Sequence, residues 1–321
     1  MATPSSSKAA AAALALALGL AACSPSPEGG ATVLKVASQK GGTRALMEAS
    51  HALDGASYRV EWSEFPSAQT LIEALNAGAA DTGTVGDAPF LFGYASEAKI
   101  KAVMAYHAAA GGASTGILVP DGSPIRTPAD LKGRRIATGK GSIGHYLLLR
   151  VLEQAGLKPT EVTVVYLSPG DAKAALAAGS VDAWATWNPY IALATLHGDD
   201  RVLVNGLGLL HAIGFQAATD AAIAAKRPVL EDFLRRLAKA EVWEKDHQAE
   251  YAQVLAKDTG LPPDVAQAMV ASLRPAPAPI DAAMIAEERD TLTRFHAAGV
   301  IDSTPSLEGA FDTGFDYANK P

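Results

Sequence analysis

Apolar and polar positions change period several times along the chain, and each change marks an element. "TVLKVAS" (Thr32–Ser38) reads as a strand and "GGTRALMEASHAL" (Gly41–Leu53) as a helix. "YRVEWSEF" (Tyr58–Phe65) alternates and reads as a second strand. Pro66 opens "PSAQTLIEALNAG", where Leu71, Ile72 and Leu75 share one helical face and Gly78 ends the helix. The same grammar returns later. Leu147, Leu148, Val151, Leu152 and Ala155 form a stripe closed by Gly156. Ser168 is read as an N-cap with Pro169 at the first helical position, and Gly179 as the stop.

Laid against itself, the chain shows a repeat. "KVASQKGGT" (Lys35–Thr43) matches "RIATGKGSI" (Arg135–Ile143), and "EFPSAQTLIEALNAGAAD" (Glu64–Asp81) matches "YLSPGDAKAALAAGSVD" (Tyr166–Asp182). "TVGDAPF" (Thr84–Phe90) then answers "TWNPY" (Thr186–Tyr190). The offset is about 100 residues throughout. Each unit reads as β-α-β-α-β, which predicts an α/β fold of two lobes with parallel-type sheets covered on both faces. Ligands of such sheets sit beyond the carboxyl ends of the strands. Here those ends are "SQKGGT", "TVGDAPF", "TGKGSIGH" and "TWNPY", short loops that lead into helix N-termini and would line one inter-lobe cleft.

After about Gly214 the pattern turns to consecutive helices: "VLEDFLRRLAKAEVWEKD", "DVAQAMVASL" and "AAMIAEERDTLTRFHAAGVI". The prolines of "LRPAPAPI" separate the last two. This tail is expected to pack on lobe one. The expected boundaries are 32–118 plus 215–321 for lobe one and 119–214 for lobe two. Crossovers near Leu118–Asp121 and His211–Phe215 would act as the hinge.

The first residues bear on compartment. Lys8 precedes "AAAAALALALGLAAC", a short apolar run ending in small residues, which reads as an export signal over 1–22. Its Leu-Ala-Ala-Cys ending resembles the bacterial lipobox, which implies lipidation of Cys23 and an anchored protein at the periplasmic face. Residues 23–31, with "SPSPEGG", read as a tether. No later stretch is long and apolar enough to span a bilayer. Cys23 is the single cysteine, so neither a structural disulfide nor a cysteine nucleophile is available. The net charge of −7 and the absence of a Lys/Arg run argue against nucleic acid, and oblige any anion to be held by local donors. The seven histidines are scattered without metal-ligand spacing, so neither metal nor cofactor is expected.

"GKGSIGHYLLLR" places Gly139, Gly141 and Gly144 in dinucleotide-fingerprint spacing after a strand. The following strand, "VTVVY", ends in Tyr166-Leu167-Ser168-Pro169, without the carboxylate that would hold a ribose. Glu161 lies on the wrong side of that strand, and "SQKGGT" has lost the spacing. Two readings stay open: the glycines shape a turn, or they open a helix N-terminus onto the cleft.

Taken together, "KGSIGHYLLLRVLEQAGL", "YLSPGDAKAALAAGSVDAWATWNPY" and "EFPSAQTLIEALNAGAADTGTVGDAP" resemble the substrate-binding proteins of bacterial aliphatic sulfonate ABC importers, from about Val33 to Leu273. The resemblance implies a two-lobed periplasmic-binding-protein (type II) fold, monomeric, that closes on an alkanesulfonate and delivers it to an inner-membrane permease for sulfur supply. The wider group also covers taurine, nitrate and thiamine-precursor binders. It includes a sulfinate-cleaving enzyme and a thiamine-pyrimidine synthase, whose kinds rely on cysteine. Asn188 departs from the family's W-D-P-Y pattern, which leaves chain-length preference open.

A sulfonate stays ionised and offers three acceptor oxygens, so it calls for several N–H and O–H donors. Gln39, the amides of Gly41, Gly42 and Thr43, and Gly141, Ser142 and His145 supply them from opposing lobes. Ser114 and Thr115 are further hydroxyls, read either as contacts or as loop hydrogen-bonders. Gly86 and Asp87 lie on the same rim, with Asp87 read first as an N-cap for "APFLFGYA". Trp187 would wall the apolar tail beside Asn188, while Trp184 is read as half core. His145 is read equally as a solvated first-turn residue. A serine nucleophile would need Ser142 activated by His145, with no acidic orienter nearby in sequence.

Overall fold

In order, the first half of the chain forms β1 (Val33–Gln39), α1 (Thr43–Ala49), β2 (Arg59–Phe65), α2 (Ala68–Asn76), β3 (Thr82–Gly86), α3 (Asp87–Ala95), β4 (Ile100–Ala108) and β5 (Thr115–Pro120). Next come β6 (Arg135–Thr138), α4 (Ile143–Gln154), β7 (Thr163–Tyr166), α5 (Pro169–Ala177), β8 (Ala183–Trp187), α6 (Tyr190–Leu196) and β9 (Asp200–Asn205). Then follow β10 (Ile213–Thr219), α7 (Asp220–Glu244), α8 (Gln248–Thr259), α9 (Pro263–Leu273), β11 (Pro275–Ala278) and α10 (Ala282–Ala297). This computed structural model describes residues 31–40, 42–315 and 317. The export signal, Cys23, most of the tether and Gly41 lie outside the described residues.

The cap read at Ser168 and the three glycine stops are formed, and Ser67, not read as a cap, holds the same position in α2. Ser67 and Ser168 accept the Thr70 and Asp171 N–H groups at the starts of α2 and α5. Pro66 therefore stands just outside its helix. Gly78, Gly156 and Gly179 each take a left-handed φ near +70° at a helix end.

The strands build two sheets, ordered β11-β4-β10-β3-β1-β2 and β7-β6-β8-β5-β9. In each, the three repeat strands pair parallel, joined by helical crossovers. Strands β10 and β5 enter antiparallel, so both sheets are mixed. The repeat extends to single bonds. The Lys35 N–H donates to Asp81 Oδ2 at 2.7 Å, and the Arg135 N–H to Asp182 Oδ2 at 2.8 Å. The Asp81 and Asp182 N–H groups return bonds of 2.8 Å each to the Lys35 and Arg135 carbonyls.

Apolar clusters cover both faces of both sheets. Leu34 and Val36 pack under α7 and α8, and Ala37, Ala102 and Phe215 under α2, α3 and α10. Ile117 and Ile136 lie under α4, and Leu118, Ala137 and Trp184 under α5 and α6. Trp184 is thus wholly core, and each buried Leu, Ile, Val or Phe of these clusters contributes about 1.5–3 kcal/mol.

Two sequence expectations need correction. β5 pairs with β8 and β9, so 115–118 belongs to the second sheet and the first crossover is 109–114. The second crossover is 206–212, because β10 already pairs in the first sheet from Ile213. An apolar strand buried on both faces carries no mark of which sheet it joins; the turn at Gly111 and Gly112, both at positive φ, was the available signal. The proline-rich separator is also a strand. β11 lies at the sheet edge against β4, where prolines lacking an N–H are tolerated. The tail packs on the first sheet as expected, and α9 additionally packs against α6 of the second lobe.

Candidate functional site

The strand-to-helix loops of both lobes meet on one cavity of about 220 Å³. That is below the roughly 300–1,000 Å³ of drug-sized pockets and suits a small ligand. From lobe one come Gln39, Gly42, Thr43, Gly86 and Asp87; from lobe two and the first crossover come Ser114, Thr115, Ser142, Trp187 and Asn188. Gly141 and His145 are not on its wall.

Local bonding decides which donors remain for a ligand. The Gly42 N–H is spent on the Gln39 carbonyl at 2.8 Å, so it does not serve as expected. Gln39 Nε2 gives one hydrogen to the Thr84 carbonyl at 2.9 Å and keeps the other. Thr84 donates to Gln216 Oε1 at 2.6 Å, so the 2.7 Å contact between the Thr43 and Thr84 hydroxyls takes its proton from Thr43. Ser142 is the N-cap of α4, its Oγ accepting the His145 N–H at 3.0 Å. The first turns of α1 and α4 retain N–H groups, among them those of Thr43 and Ile143, with no intrahelical acceptor. Ser114 and Thr115 keep their hydroxyls free of hydrogen bonds to the described residues.

The glycines of "GKGSIGH" divide their roles. A Cβ at Gly139 would meet its neighbours at an ordinary 3.5 Å. Gly141 sits at φ +70°, where a Cβ would fall 2.1 Å from the Phe92 ring. Gly144 lets α4 press on β8, with a Cβ position 2.5 Å from the Ala185 carbonyl oxygen. They shape a turn and a helix seat, and the cavity side of that turn is Ser142 and Ile143.

His145 turns inward, 1% exposed. Its Nδ1 accepts the Gly141 N–H at 3.2 Å, and its ring packs edge-on to Tyr166 at 5.3 Å. Burial, aided by the nearby Lys140 charge, pushes its pKa down to about 4. Third in its helix, it folds back over its own loop instead of facing solvent or ligand. Asp87 is corrected as well. Gly86 holds the N-cap position, and Asp87 is the first helical residue, fully buried. Its Oδ1 accepts the Ala88 N–H at 2.6 Å, Oδ2 has no partner among the described residues, and burial pushes its pKa up to about 7.

Trp187 walls the cavity, stacked edge-on with Tyr190 at 5.9 Å. Asn188 bridges lobes: its Nδ2 donates to Ser272 Oγ at 2.7 Å and its Oδ1 accepts the Ala192 N–H at 3.1 Å. An amide can both donate and accept here, where an aspartate could only accept. Tyr190 Oη closes the mouth with a 2.8 Å bond to the Pro66 carbonyl, and Gln69 Nε2 reaches the Lys140 carbonyl at 3.4 Å.

Sequence reading missed the wall from the tail helices: Leu237, Glu241 and Glu244 of α7, Tyr251 of α8, and Met269 and Leu273 of α9. It also missed Tyr106, whose ring lies against β10 where a Cβ on Gly214 would sit 2.0 Å from Cζ. Glu241 and Glu244 recur in the helical stripe with Leu237 at i, i+4 and i+7, a placement legible only once that face is known to be covered. Among the described residues no group of three His, Cys, Asp or Glu could hold a metal ion, and no helix is long and apolar enough to cross a membrane.

Known proteins share this architecture. The crystal structure of an alkanesulfonate-binding protein, SsuA, from Xanthomonas axonopodis pv. citri bound to MOPS superposes with a TM-score of 0.82 at 36% identity, covering 88% of this chain and 99% of that one. The periplasmic aliphatic sulphonate binding protein SsuA from Escherichia coli gives 0.77 at 32% identity, over 87% and 92% of the two chains. A relative from Escherichia coli (strain K12), named for binding aliphatic sulfonates, is 35% identical over 273 residues, 84% of this chain and 85% of its own length. A family model described as NMT1/THI5 like matches residues 59–250, from β2 of the first lobe to α8 of the tail. With the fold, the repeat and the cleft in agreement, the chain belongs to the NMT1/THI5-like family.

Proposed function

We propose that this chain is the extracytoplasmic receptor of an ABC importer, capturing aliphatic sulfonates between its lobes and delivering them to an inner-membrane permease. One observation carries the reading: loops from both halves of the repeat meet on one small cavity and keep unspent neutral donors there. Lys40 is the one cationic residue among those described on its wall. Such a site suits an anion that is always ionised and accepts through three oxygens. The relatives named for aliphatic sulfonates support it. Binding without turnover is supported by the Ser142–His145 geometry. The serine oxygen accepts a backbone N–H and the imidazole Nδ1 accepts another, so neither activates the other.

Calorimetry and thermal melting of the mature protein with ethanesulfonate, taurine, sulfate, nitrate and a thiamine-precursor pyrimidine test the assignment. Saturable ethanesulfonate binding is expected. At about a hundred times Kd it adds about 2.7 kcal/mol, or roughly 5–10 °C in Tm. A response to nitrate or the pyrimidine with none to any sulfonate would refute it. The same reading places the protein at the periplasmic face, held through acylated Cys23. Cys23→Ser is expected to move it from the membrane fraction to the soluble one. Wild-type protein found wholly soluble removes the anchor.

A further inference from the structure

The stripe that α7 turns to the interior runs Leu230, Phe233, Leu234, Leu237, and then Glu241 and Glu244 where apolar residues would continue it. Both glutamates are on the cavity wall, 4% and 2% exposed. Glu241 Oε2 and Glu244 Oε1 are buried with no hydrogen-bond partner among the described residues. The cations of the same helix are engaged elsewhere: Arg235 and Arg236 pair with Asp232, Lys226 with Asp81 and Arg227 with Asp312, and Lys239 is exposed. Two buried carboxyls without counter-charge are costly to keep, unless a cation arrives with the ligand. The phenols of Tyr106 and Tyr251 lie within electrostatic reach of both carboxyls and line the same cavity. Tyr251 Oη also donates to the Gly42 carbonyl at 3.4 Å, which sets this acidic end directly behind the loop into α1.

We propose that the ligand is a short ω-aminoalkanesulfonate, its sulfonate on the loop donors and its ammonium between Glu241 and Glu244. This rests on sulfonate capture as the role of the cavity. An ammonium brings three donors to the carboxyl oxygens. Burial raises the pKa of both carboxyls, which favours their neutral form while the cavity is empty and lessens repulsion of an approaching sulfonate. The ammonium then draws them into their charged form.

The test is calorimetry on the mature protein with matched pairs: 2-aminoethanesulfonate against ethanesulfonate, and 3-aminopropanesulfonate against propanesulfonate. The amino member of at least one pair is expected to bind at least about tenfold more tightly. Glu241→Gln and Glu244→Gln are each expected to shrink that ratio to roughly threefold or less. Replacing a buried carboxyl by its isosteric amide removes no packing, and melting curves report that the variants are folded. Plain alkanesulfonates binding as tightly as their amino partners would overturn the amine assignment and leave sulfonate capture standing. A ratio that survives both substitutions overturns it too. If no sulfonate of either kind binds, both readings fall.

Discussion

Gly144→Ala lowers the melting temperature by on the order of 5–10 °C, the expected consequence of about 2–3 kcal/mol of lost stability. The added Cβ would lie 2.5 Å from the Ala185 oxygen, 2.8 Å from its carbonyl carbon and 3.1 Å from the Thr186 nitrogen. These are backbone atoms of β8, buried in the middle of the second sheet, and the same oxygen already accepts a 3.0 Å bond from Thr138 Oγ1. They cannot rotate away as a side-chain tip would. The first turn of α4 must therefore retreat, carrying Ser142 and Ile143 off the cavity wall, so sulfonate affinity should fall with stability. Gly139→Ala is the control, because its Cβ meets neighbours at an ordinary 3.5 Å; its effect should stay within about 0.5 kcal/mol. Gly144→Ala melting with the wild type would show that the helix seat is not close-packed.

Acidity has the second large effect. Lowering the pH from 8 to 6.5 is expected to stabilise the ligand-free protein by about 2 kcal/mol, roughly 4–8 °C in Tm. Burial pushes Asp87 up to about 7 and Glu244 up to about 8, against ordinary values near 4 in the unfolded chain. Across this window the unfolded carboxyls are ionised while the folded ones take up protons. The folded state binds more protons, so stability rises as the pH falls. Glu241, raised by burial and by Glu244, acts in the same direction, as does Glu288, raised by burial and by Asp87 and Glu287. His145 acts in the opposite direction. Its folded pKa is depressed to about 4, so below about 6.5 the unfolded chain takes up a proton that the folded one refuses, which offsets part of the carboxyl gain and flattens the rise without reversing it. Calorimetric melts at pH 8, 7.2 and 6.5 check this. A flat or rising Tm with pH would mean these carboxyls are ionised in the fold.

Both predictions concern residues whose roles were unevenly legible in the sequence. Gly144 was visible through its spacing, but the spacing suggested a nucleotide, and only the approach of Ala185 shows what the glycine is for. Asp87 was picked out on the cleft rim for its place after β3. Its burial depends on helices packed from far along the chain, among them α10, whose Glu288 lies within its electrostatic reach. Glu241 and Glu244 were invisible as site residues, since acids on a charged amphipathic helix ordinarily face water.

What the sequence determined by itself was whatever short-range physics governs. Ser67, Ser142 and Ser168 cap helices through bonds to N–H groups three residues on, and Gly78, Gly156 and Gly179 end helices through their own φ. The repeat carried the topology of three parallel strands twice, and with it the meeting of Gln39 and Thr43 with Ser142, Trp187 and Asn188. Tertiary structure alone decided that β5 joins the second sheet, that "PAPA" becomes an edge strand, that His145 turns into its own loop, and that α7 delivers two acids to the cavity. The deciding partners, including the Tyr166 and Phe295 rings packed on His145, lie across a sheet or on elements remote in sequence, and neither cap chemistry nor hydrophobic period reaches that far.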